Sequence, residues 1–186
     1  HPFMSGVALG LAKRGIATLR YQFPYMERGT RRPDVPKVAH ATVRAAVAEA
    51  ARQCPKLPLI AGGKSFGGRM TSQAQASAAL PGVLGLLFFG FPLHPAGKPS
   101  IDRAQHLADV KVPMLFVQGT RDQLALPEQI EPLCEALGKR TTLTMVKDGD
   151  HSFHVPARSG HKDADVRGEM LDTVAKWIGD VIAATR

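Results

Sequence analysis

Leu57-Pro58-Leu59-Ile60-Ala61-Gly62-Gly63-Lys64-Ser65-Phe66-Gly67-Gly68-Arg69-Met70 decides the reading of this chain. A short apolar run bounded by glycines reads as a buried strand. The segment Arg69-Met70-Thr71-Ser72-Gln73-Ala74-Gln75-Ala76-Ser77-Ala78-Ala79 that follows reads as a helix. Between them Gly63-Lys64-Ser65-Phe66-Gly67 fits G-x-S-x-G in its required strand–turn–helix setting. Such a turn lifts a serine hydroxyl above the sheet and crowds its neighbours, so glycine is expected on both sides of the serine. The amide of Phe66 opens the helix and is the natural donor to an oxyanion.

A serine nucleophile needs a base, and the base needs an orienting acid. In this setting the order along the chain is serine, acid, histidine. The apolar run Val112–Gln118 leads into Gly119-Thr120-Arg121-Asp122, and Thr141–Lys147 leads into Asp148-Gly149-Asp150-His151. Ser65, Asp122 and His151 are therefore expected at one edge of a sheet, with Phe66 as oxyanion donor. Asp148 and Asp150 rival Asp122, and His154 rivals His151. His1, His40, His94, His106 and His161 fit no place in the triad.

Outward from these loops, strands are expected at Ile16–Phe23, Leu57–Gly63, Val83–Phe89, Val112–Gln118 and Thr141–Lys147. Their near-continuous apolar character suits a parallel sheet covered on both faces. Helices are expected over 2–14, 36–53, 66–79, 127–138 and 164–184. Val38, Thr42, Ala45, Ala46, Val47 and Ala50 mark the inner face of 36–53, and Asp163 is the expected N-cap of the last helix. The alternation implies an α/β architecture, one domain over 1–186. The stretch 91–110 reads as a loop insertion with a short helix near Ile101–Ala108. From loop position, Arg20, Tyr25 and His94 are expected to line the substrate pocket.

The chain has 186 residues, a formal charge of +8 and a pI near 9.9. Lys and Arg are scattered, with Arg28, Arg31 and Arg32 forming a loop cluster, so neither nucleic acid nor membrane is expected as a partner. A small-molecule substrate is, and a homodimer is left open. No dinucleotide or phosphate-loop fingerprint is present, nor a cysteine-pair or HExxH metal spacing, so no cofactor and no metal are expected. Cys54 and Cys134 are taken as reduced, and with no secretory signal in view the chain is read as cytoplasmic.

Gly62-Gly63-Lys64-Ser65-Phe66-Gly67-Gly68-Arg69-Met70, Gly119-Thr120-Arg121-Asp122, Gly149-Asp150-His151-Ser152-Phe153 and Tyr21-Gln22-Phe23-Pro24-Tyr25 together resemble the α/β-hydrolase group that includes the testis-expressed protein 30 and dienelactone-hydrolase-like proteins. The resemblance spans essentially the whole chain. It implies the α/β-hydrolase fold, a mostly parallel sheet with helices on both faces, and hydrolysis of a small ester, lactone or thioester. Dienelactone hydrolases proper use cysteine where this chain has Ser65, so their activity is not carried over. It also implies N-terminal strands that this chain lacks: one would sit between Ile16–Phe23 and Leu57–Gly63, and its loop would supply the second oxyanion donor. The rival reading is an idle hydrolase-like fold serving as a scaffold.

Overall fold

The computed structural model describes residues 2–185; His1 lies outside them. The elements are α1 (Pro2–Ala12), α2 (Pro24–Glu27), α3 (Pro36–Gln53), β1 (Leu59–Lys64), α4 (Phe66–Ser77), β2 (Val83–Phe89), a 3₁₀ helix Asp102–Asp109, β3 (Met114–Gly119), α5 (Pro127–Leu137), β4 (Thr141–Val146) and α6 (Asp163–Ala183). Short 3₁₀ turns at Gly138–Arg140 and Ala157–Ser159 complete them. The four strands pair in the order β1-β2-β3-β4, all parallel.

Period-two alternation divides the core. Leu86, Phe88, Met114 and Phe116 face α3, α4, α5 and the 3₁₀ helix. Leu87, Phe89, Leu115 and Val117 face α1 and α6, where Phe3, Met170, Val174 and Trp177 cover them. Burial on both faces explains why these strands carry no polar alternation. Pro58 and Pro113 lack an N–H to donate, and β1 and β3 begin just after them. Pro127 opens α5 and Gly138, at φ 73°, closes it, with Pro132 carried inside.

Three expectations need correction. Among the described residues Ile16–Phe23 belongs to no strand: β1 pairs with β2 and no ladder reaches this segment. A strand is defined by its neighbour's hydrogen bonds, which local propensity does not supply. The buried face of α3 is Ala39, Val43 and Val47. Thr42, Ala45 and Ala46 instead line an open groove of about 400 Å³ between α3 and Leu19–Tyr21. Finally, Lys162 is the N-cap of α6, and Asp163 turns to the neighbouring loop.

Candidate active site

The turn between β1 and α4 is strained, as Asp148 and Phe153 are on the loop of His151, each with a positive φ. Ser65 adopts φ 51°, ψ −118°, a region that non-glycine residues enter at a cost of about 1–3 kcal/mol. The crowding falls on Gly63 and Gly68. A Cβ on Gly63 would lie 2.9 Å from the Gly67 carbonyl carbon, and one on Gly68 would lie 2.8 Å from the Gly63 oxygen. Gly67 has room, its nearest neighbour being the Phe23 ring at 3.7 Å. The expectation of glycine hard against both sides of the serine is thus corrected: the second tight position is one residue further on.

Ser65, His151 and Asp122 meet. His151 Nε2 is 2.9 Å from Ser65 Oγ, and His151 Nδ1 is 2.7 Å from Asp122 Oδ2. In a neutral imidazole, Nδ1–H donates to the carboxylate and the Nε2 lone pair faces the hydroxyl. Asp122 is fully buried. Its Oδ1 accepts the Leu124 amide at 2.9 Å and its Oδ2 also accepts Gln118 Nε2 at 2.5 Å. Gly119 lets the two loops approach: a Cβ there would lie 2.3 Å from the Gly149 oxygen.

The rivals point elsewhere. Asp150 Oδ1 accepts the amides of Ser152 and His154, capping its own loop. Asp148, at φ 58°, donates its amide to Thr120 Oγ1. His154 Nδ1 bonds Asp163 Oδ2 at 2.8 Å, and that hydrogen bond raises His154 above the ordinary imidazole range.

Two supports escape sequence reasoning. Gln118 is the last polar side chain in an otherwise apolar strand and is fully buried, which is the signal that could have flagged it. Lys64 donates Nζ to the His151 carbonyl at 2.5 Å, between the rings of Phe3 and Phe153 at 5.3 and 5.7 Å. Burial pulls Lys64 below the ordinary ammonium range, against the opposing charges of Asp122 and Asp150.

The residues expected to line the pocket scatter. Tyr25 is near, its ring edge-on to Phe66 at 5.8 Å. Arg20 donates to Ser5 Oγ at 2.8 Å and lines the α3 groove instead. His94 is 1% exposed, with Nδ1 on the Pro95 carbonyl and Nε2 on Gln129, so it offers substrate no free ring nitrogen. Among the described residues no three His, Cys, Asp or Glu side chains converge as metal ligands, and no helix is long and apolar enough to cross a membrane. Cys54 is exposed and Cys134 buried, both free, and burial pushes the Cys134 thiol up to about 12.

A model of the alpha/beta hydrolase domain matches residues 1–179. An α/β serine hydrolase without a lid from Xanthomonas campestris is 26% identical, with a TM-score of 0.71 over 95% of this chain and 73% of its own. An α/β serine hydrolase homologue from Coxiella burnetii is 20% identical, with a TM-score of 0.70 over 91% of this chain and 74% of its own. The esterase domain of a Rhodothermus marinus protein is 17% identical, with a TM-score of 0.67 over 94% and 78%. The last two speak for the shared fold alone.

Proposed function

This chain belongs to the alpha/beta hydrolase domain family, and from that premise we propose that it is a serine hydrolase acting on a small carboxylic ester, lactone or thioester through an acyl-enzyme on Ser65. The observation that carries the reading is the continuous hydrogen-bonded line from Asp122 through His151 to Ser65. The strained backbone at Ser65 supports it, since a scaffold has no use for such strain.

His151 Nε2 takes the Ser65 proton as Oγ attacks the carbonyl carbon. Asp122 accepts the Nδ1–H of the resulting imidazolium without taking the proton. The Phe66 amide, at the start of α4 and without an intrahelical acceptor, faces the developing oxyanion. Collapse expels the alcohol or thiol, which leaves with the proton held on His151. Water then repeats the sequence: His151 removes its proton, the hydroxide oxygen bonds to the acyl carbon, and Ser65 recovers its hydrogen. The relative without a lid supports an open site and a small or surface-presented substrate.

Hydrolysis of p-nitrophenyl butyrate tests this. Ser65→Ala and His151→Ala are each expected to lower kcat/KM by about a thousandfold or more. Wild-type turnover by Ser65→Ala would reject the reading.

A further inference from the structure

Arg69 lies one helical turn beyond Ser65, and its guanidinium has no anion. Its Nε is sealed from solvent with no hydrogen-bond partner, and among the described residues neither Arg69 nor Arg103 enters an ion pair. What Arg69 touches is the ring of Phe66, 5.7 Å from the guanidinium carbon to the centroid. Stacking of this kind leaves the N–H fork free to bind a planar oxyanion. Helical side chains lean toward the N-terminus, so Arg69 leans toward the turn that bears Ser65.

Arg103 joins it from the 3₁₀ helix Asp102–Asp109, which packs across α4. His106 Nε2 is 2.7 Å from Ser72 Oγ. Arg103 precedes His106 by three residues, as Arg69 precedes Ser72, and residues three apart are eclipsed in a 3₁₀ helix. Arg103 and Arg69 thus each lie one turn before that hydrogen bond on their own helices. The electrostatics agree: burial, then the Arg103 charge, lowers Arg69. Burial, then Arg69 and His40, brings His106 down to about 4 against the weaker pull of Asp109. Positive potential accumulates here, opposed only in part by Asp109, and among the described residues no carboxylate pairs with Arg69 or Arg103.

Resting on the reading of Ser65 as nucleophile, we propose that Arg69 and Arg103 form an anion subsite beside the Phe66 amide, for a carboxylate carried by the substrate a few bonds from its scissile carbonyl. The fork of Arg69 would receive that carboxylate bidentately, with Arg103 closing over it. The preferred substrates are then monoesters or thioesters of dicarboxylic acids rather than plain alkyl esters.

Two fluorophosphonates test this on the purified protein, one with an alkyl tail and one with the same tail ending in a carboxylate. Ser65 labelling is expected to be about tenfold faster with the carboxylate probe. That ratio is expected to fall to about one in Arg69→Gln and Arg103→Gln and to an intermediate value in Arg69→Lys, which keeps the charge but loses the fork and its stacking, whatever happens to absolute rates. Arg103→Gln, on the half-exposed helix, keeps the test open if Arg69→Gln misfolds. Labelling with a ratio near one in the wild type, or a ratio unmoved by both Gln variants, overturns the subsite and leaves the nucleophile standing. No labelling by either probe overturns the nucleophile and the subsite with it.

Discussion

Gln118 holds Asp122 to the backbone of a different loop: its Nε2 donates to Asp122 Oδ2 while its Oε1 accepts the Phe91 amide at 2.9 Å. The carboxylate that faces His151 is therefore aimed by a carboxamide that itself spans β3 and the turn after β2. Gln118→Leu would leave the Phe91 amide buried without a partner. It should cost about 1–3 kcal/mol of stability and slow ester hydrolysis about tenfold through a loosened Asp122. Urea denaturation and kcat measured together check this, and unchanged values in both would contradict it.

Lys64 ties the loop of His151 to the strand that leads into Ser65, through the carbonyl of His151 itself. Lys64→Met keeps the stem between Phe3 and Phe153 but removes the donor. Turnover is expected to fall about threefold to tenfold, with a loss of about 1–2 kcal/mol. Heightened amide exchange of residues 150–153 in Lys64→Met would report the same loosening directly.

Ser65 stores backbone strain that its side chain does not relieve. Ser65→Gly should abolish hydrolysis and yet raise the unfolding free energy by about 1 kcal/mol, because glycine enters this conformation freely. A chemical-denaturation midpoint below that of the wild type would contradict the account.

His106, held at about 4 in the folded chain against an ordinary 6.5, gives stability a pH dependence. Between those values the unfolded chain binds a proton that the folded chain refuses. The contribution is therefore complete above pH 6.5 and is lost as pH falls toward 4. With allowance for solvent screening, His106→Asn should lose about 1–2 kcal/mol less than the wild type over that interval. Parallel stability curves for the two proteins would contradict this.

The sheet, the flanking helices and the meeting of Ser65, Asp122 and His151 were legible because each rests on local signals: apolar runs, glycine stops, and a chemical residue just past a strand's end. Ile16–Phe23 misled because it has strand composition, while pairing is decided by what lies beside it. Asp163 was legible as a helix start but not as a cap for another loop, since its use by His154 and Val155 depends on tertiary approach. Gln118 accepts from the Phe91 amide and Lys64 donates to the His151 carbonyl, partners distant in sequence that no spacing encodes. The charges of Arg69 and Arg103 influence each other only through the packing of the 3₁₀ helix on α4, which is tertiary.

The proposed function requires that His151 activate Ser65 Oγ as a nucleophile. Peptide mass spectrometry after exposure of the folded protein to an alkyl fluorophosphonate tests it most directly. One adduct is expected, on Ser65, absent in Ser65→Ala and formed at least about a hundredfold more slowly in His151→Ala. An unmodified Ser65, or an adduct rate indifferent to His151, would contradict it.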